Sequence, residues 1–135
     1  IHTKGIDMSS GSLGQGISAA CGMALAGKLD GKSYKVYTVL GDGEIEEGQV
    51  WEAAMFAAHK NLDNLIAVVD NNGLQIDGPI SEVCSPEPIT DKFAAFGWHV
   101  ITMDRKVLRA KAFHLWKIRF HGMEVRLIRN SMNRQ

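Results

Sequence analysis

The chain is expected to adopt an α/β fold, a parallel β-sheet flanked by helices and incomplete at this length, and three observations predict it. Residues 34–40 and 65–70 are short apolar runs rich in β-branched and aromatic types, bounded by turn signals, which read as buried strands. Between them, residues 50–60 combine strong helix formers with an apolar face. Each strand also runs into a cluster of loop formers, Gly41-Asp42-Gly43 after the first and Asn71-Asn72-Gly73 after Asp70 of the second.

Taken in order, the elements begin with a small-residue loop at residues 9–16 that leads into a helix over residues 17–26. The apolar and small side chains of that helix allow close packing, and the loop can either present a helix N-terminus to an anion or simply permit close approach. The strand at 34–40 ends at Gly41, an acidic turn follows, and the helix at 50–60 leads to the strand at 65–70. Strand, helix and strand at this spacing form a right-handed βαβ unit with parallel strands. Ser85 and Pro86 offer an N-cap and a proline at the first helical position, so a further helix is expected to about Phe96, with a third strand at 97–102. No internal repeat or low-complexity tract interrupts this order.

In open α/β sheets ligands lie beyond the carboxyl ends of the strands, where both loop clusters would sit. Asp42 supplies a hard anionic oxygen, Asn72 an amide oxygen and the loop after it a backbone carbonyl. Mg²⁺ or Ca²⁺ accepts such donors and keeps other positions for phosphate oxygens. Gly41 and Gly43, flanking Asp42, let the main chain approach a diphosphate closely. Asp-Gly is also a common turn signal, and the acidic run Glu44, Glu46, Glu47 and Glu52 can equally be a solvated helix start favoured by the helix dipole.

With 135 residues the chain has room for one domain with a core, and its formal charge of zero hides an asymmetry. Residues 1–104 carry six Lys or Arg against fourteen Asp or Glu, whereas residues 105–135 carry nine against one, so the two parts stand at −8 and +8. Two kinds of sequence have been joined. Cys21 and Cys84 are too few for a disulfide framework or a zinc site; a buried role for Cys21 and a reducing, cytoplasmic setting are expected. No apolar run reaches membrane-spanning length, no signal peptide opens the chain, and the start at Ile1 is expected to mark a fragment.

Three stretches carry a resemblance. The text GSLGQGISAACGMAL at 11–25, VYTVLGDGEIEEGQVWEAAMFAAHKNLDNLIAVVDNNGLQIDG at 36–78 and SEVCSPEPITDKFAAFGWHVITMD at 81–104 resembles the thiamine-diphosphate domain of transketolases, above all the separate N-terminal subunit of split bacterial forms. The resemblance implies that Asp42, Asn72 and the Leu74 carbonyl hold the metal, that Gly41 and Gly43 lie at the diphosphate, and that Gly11 and Leu13 line the cofactor. Ile76 is implied on the thiazolium side. Glu47 and Glu52 match the acidic residues at the subunit contact, through which family members couple two active sites. His59 and His99 match no catalytic histidine, and His2 stands too close to Gly11 to match the one in the family's GHP motif.

The resemblance ends after Asp104. Residues 105–135 are expected to be a basic tail, out of frame or disordered, outside a domain of residues 1–104. One codon set for residues 111–124, regrouped one frame away, reads GISFMENQVSWHG, which is similar to the family's own continuation after a deletion. The rival readings are a basic arm for RNA or a protein partner, and a packing face of Phe113, Trp116 and Phe120.

The resemblance implies transfer of a two-carbon ketol unit between sugar phosphates with thiamine diphosphate and Mg²⁺ (or Ca²⁺), in a cytoplasmic oligomer with a separate C-terminal subunit carrying the pyrimidine-binding domain. The chain alone is expected to be inactive, and neither membrane nor nucleic acid is an expected partner. The alternatives are another thiamine-diphosphate enzyme, such as deoxyxylulose-phosphate synthase or a dehydrogenase E1 component, and a non-catalytic remnant or binding module.

Overall fold

Four parallel strands, β1 (Val36–Gly41), β2 (Leu65–Asn71), β5 (His99–Asp104) and β6 (Glu124–Arg129), form one sheet in the order β1-β2-β6-β5. This is a computed structural model, which describes residues 3–104 and 124–129. A second, two-stranded ladder pairs β3, Leu74–Gln75, with β4, Gly78–Pro79, antiparallel. The helices are α1, Gly16–Leu29; α2, Gly48–His59; α3, Ile80–Val83; and α4, Ile89–Ala95, with a short 3-10 turn at Glu44–Glu46.

Small residues let α1 and α2 approach closely. Ala20, Cys21 and Ala24 of α1 and Ala53, Ala54 and Ala57 of α2 are all buried in one core. The Cys21 thiol points at the Ala53 carbonyl, 3.6 Å away, and burial pushes it up to about 11, as a structural cysteine would behave. Leu40, Leu65, Ala67 and Val69 bring the sheet into the same core, while Tyr37 and Val39 on the first strand are exposed.

An aromatic wedge closes the core below α4. Phe93 is fully buried with its ring centroid 5.1 Å from Trp51 and 5.6 Å from Trp98, and the Trp98 indole N–H donates to the Ala54 carbonyl at 3.0 Å. Such offset and edge-on contacts contribute about 0.5–1.5 kcal/mol each beyond burial.

Two boundaries differ from those the sequence predicts. The last described helix begins at Ile89, not at Pro86, because Pro88 bars Glu87 from helical geometry; the Glu87 carboxylate instead accepts the Ile89 N–H at 2.9 Å. The strand after it begins at His99, because Gly97, with φ of +87°, and Trp98 are used to end the helix through bonds to the Ala94 and Phe93 carbonyls.

Residues 124–129 belong to the segment expected to be a tail, yet they form β6, hydrogen-bonded on both sides to β2 and β5. Val125, Leu127 and Ile128 favour or tolerate a strand, and the sheet therefore extends past residue 104. The aromatic face of Phe113, Trp116 and Phe120, all but the last residue of the reread stretch 111–124, and His2 lie outside the described residues.

Candidate functional site at the strand tips

The parallel register places Gly41 beside Asp70, and the Asp42 N–H donates to the Asp70 carbonyl at 3.2 Å, so the two strands reach the same end of the sheet together. Asp42 is 0% exposed. Its Oδ2 accepts the Gly73 N–H at 2.6 Å and its Oδ1 the Gly43 N–H at 3.0 Å. Burial pushes the Asp42 carboxyl above its ordinary value; the Gly73 and Gly43 hydrogen bonds pull it back, and the charge of Asp70 adds to the rise.

Close packing fixes the turn. A Cβ on Gly43 would stand 2.5 Å from the Gln75 Cβ, which only glycine avoids, so the loop after β2 lies directly on the Gly41-Asp42-Gly43 turn. Within that loop the Asn72 side-chain oxygen accepts the Leu74 N–H at 2.9 Å, while its amide nitrogen donates to Asp70 Oδ2 at 3.3 Å. Asp42 and Asn72 are thus held in adjoining loops through Gly73. Leu74 and Ile76 are 62% and 93% exposed.

The third segment is the glycine-rich loop before α1. Gly14, with φ of +89°, leaves no room for a side chain: an added Cβ would meet Gln49 Nε2 at 2.8 Å and Glu47 Cβ at 2.9 Å. The Gly14 N–H donates to Glu44 Oε1 at 2.9 Å, and the Gly41 N–H donates to Glu44 Oε2 at 3.1 Å. Gln49 Nε2 reaches the Leu13 carbonyl at 3.4 Å. Gly11 is exposed and Leu13 is 54% exposed on this loop. Sequence alone leaves Glu44 among solvated acids; its position three residues after a strand-ending glycine is the one signal that sets it apart.

The family described as transketolase, thiamine diphosphate binding domain, matches residues 1–112. The chain belongs to that family. Among its relatives, the 6-deoxy-6-sulfo-D-fructose transketolase subunit SqwG of Clostridium sp. strain MSTE9 is 58% identical over 103 residues, 76% of this chain and 38% of that protein. An apulose-4-phosphate transketolase subunit of Phocaeicola vulgatus is 47% identical over 104 residues, 77% of this chain and 37% of that protein. The transketolase structure from Campylobacter jejuni superposes with a TM-score of 0.77 at 28% identity, covering 92% of this chain and 21% of that one. The chain thus spans well under half the length of each.

In this transketolase domain the described residues fit a bound cation by their chemistry. Asp42 is a fully buried carboxylate whose described side-chain partners are neutral N–H groups. A cation would offset the cost of burying that charge. Among the described residues no three His, Cys, Asp or Glu side chains gather as a metal site. The set expected here uses only one such side chain, with the Asn72 oxygen and the Leu74 carbonyl, and carboxylate or amide oxygens can accept more than one partner.

Glu47 and Glu52 are exposed at the start of α2, and neither forms an ion pair among the described residues. Glu46 Oε1 is buried without a hydrogen-bond partner among the described residues. His59 is exposed at the last turn of α2 and His99 exposed at the first position of β5, both away from the strand tips. Among the described residues no helix is long and apolar enough to cross a membrane.

Proposed function

We propose that the chain is the diphosphate-anchoring part of a transketolase that transfers a two-carbon ketol unit between sugar phosphates, together with a separate C-terminal subunit bearing the pyrimidine-binding domain. Thiamine diphosphate, when bound, supplies the carbanion chemistry that breaks the carbon–carbon bond. The residues of this chain bind and orient. Asp42, Asn72 and the Leu74 carbonyl hold Mg²⁺, and Gly41 and Gly43 let the main chain approach the diphosphate. Gly11 and Leu13 line the cofactor, Ile76 covers its thiazolium side, and Glu47 and Glu52 lie at the subunit contact.

One observation carries the reading: a wholly buried aspartate at the tip of β1 is joined to the loop at the tip of β2 by the Gly73 N–H. Exposed Leu13, Leu74 and Ile76 on the adjoining loops support a site completed by a partner surface. A cytoplasmic setting and an oligomer are parts of the same proposal, and the chain alone is expected to show little or no ketol transfer.

The test is a thermal shift with thiamine diphosphate and Mg²⁺ added together. Binding to the folded state alone stabilises by about 2.7 kcal/mol at a hundredfold excess over Kd. Stabilisation that needs both the diphosphate and the metal, and that unphosphorylated thiamine does not reproduce, is the expected result. Equal shifts with and without the diphosphate would defeat the proposal.

A further inference from the structure

Glu44 occupies a position that no role described above uses. Its two carboxylate oxygens each accept one main-chain N–H, from residues far apart in sequence: Gly14 in the loop before α1 and Gly41 at the end of β1. Glu44 is half-buried, and it starts the 3-10 turn Glu44–Glu46. An acid that merely decorated a helix start would leave its oxygens to water. This one satisfies two backbone donors that would otherwise be left unpaired in a part-buried setting.

The loop it holds has few other fastenings. Gly14 is pressed against the Glu47 and Gln49 side chains, and the Leu13 carbonyl receives one long bond from Gln49. Beyond these, the segment carrying Gly11 and Leu13 is exposed. On the other side, Gly41 precedes Asp42, whose carboxylate is fixed by Gly43 and Gly73. A single carboxylate therefore links the glycine-rich loop to the turn that carries the buried aspartate.

We propose that Glu44 is a positioning residue, a two-pronged clamp that sets the spacing between the Gly11–Leu13 loop and the Gly41-Asp42-Gly43 turn so that both meet one thiamine diphosphate. The proposal rests on the cofactor reading of the site. Because the clamp acts on main-chain N–H groups, it has a readout independent of activity. Glu44→Ala removes both acceptors, whereas Glu44→Gln keeps the side chain's size and can accept only one of the two bonds, its amide nitrogen being a donor.

The experiment is amide hydrogen exchange, followed by NMR, on the unaltered chain, Glu44→Ala and Glu44→Gln, paired with calorimetric titration of thiamine diphosphate in excess Mg²⁺. In Glu44→Ala the Gly14 and Gly41 amides are expected to exchange about tenfold faster or more, while amides within the sheet such as Thr38 and Val69 keep their rates. Glu44→Gln is expected to expose one of the two amides and to weaken cofactor binding less than Glu44→Ala, whose Kd rises about tenfold. Unchanged exchange at both glycines overturns the clamp. Exchange that quickens equally throughout the sheet overturns it too, since that reports global destabilisation. Faster exchange at the two glycines with an unaltered Kd overturns the positioning role. If the unaltered chain takes up no cofactor, the cofactor reading fails and takes the positioning role with it, whereas the exchange rates then still report the clamp alone.

Discussion

Asp42 and Gly73, thirty-one residues apart in sequence, are joined by a 2.6 Å hydrogen bond from the Gly73 N–H to Asp42 Oδ2, which ties the tip of β1 to the loop beyond β2. This bond explains how a charged side chain can be wholly buried at the end of a sheet. It leaves the carboxylate with neutral donors only, so its ionised form is costly, a cost that a bound cation would offset.

That cost has a signature in pH. Asp42 has its carboxyl raised above the ordinary aspartate value of 3.8, chiefly by burial. Between 3.8 and the raised value the folded chain binds more protons than the unfolded one, so this group lowers stability as pH rises through that window. Asp63, drawn below 3.8 by its hydrogen bond to Lys28, acts oppositely: its contribution is present above 3.8 and is lost as pH falls through its lowered value. Denaturant melts from about pH 3 to 7 should show the fall above 3.8 weakened in Asp42→Asn, and the loss below 3.8 weakened in Asp63→Asn.

Packing at the turn gives a second prediction. Gly43→Ala places a methyl 2.5 Å from the Gln75 Cβ with no strain in φ, which is −67°. The loop carrying Asn72 and Leu74 must then move, and Mg²⁺-dependent cofactor binding should weaken at least about tenfold. Adding Gln75→Gly removes the opposing atom and should restore much of the loss, as titration calorimetry on the double variant would show.

Phe93 is the centre of the aromatic wedge, fully buried against Trp51 and Trp98. Phe93→Ala should cost about 3–5 kcal/mol in urea unfolding. Lys28→Ala, by contrast, removes one half of a partly exposed ion pair with Asp63 at 2.8 Å. Its charge contribution should be below about 1 kcal/mol and should shrink as salt is added.

Much of this arrangement is legible in the sequence, and the reasons differ by element. Strands β1 and β2 and helix α2 are legible because their apolar patterns are local and end in strong turn residues. Loops at 41–43 and 70–74 are legible as neighbours because consecutive strands of a βαβ unit pair in parallel. The start of α4 is not, since Pro86 and Pro88 send opposing signals and the second governs the backbone of Glu87. Strand β6 is hidden by its basic surroundings, and only the non-local pairing with β2 and β5 reveals it. Glu44 is hidden for a related reason: its Gly14 partner, thirty residues away, is brought to it by tertiary structure, and a run of glutamates looks alike whether its members face water or main-chain donors.

Asp42 is the proposed anchor of a cation that holds a diphosphate, and the functional reading turns on it. Titration of thiamine diphosphate into the chain by calorimetry, with and without Mg²⁺, for the unaltered protein and for Asp42→Ala, tests this most directly. Saturable binding that requires Mg²⁺ and disappears in a folded Asp42→Ala variant is the predicted result; binding of equal strength in that variant, or binding indifferent to the metal, would contradict it.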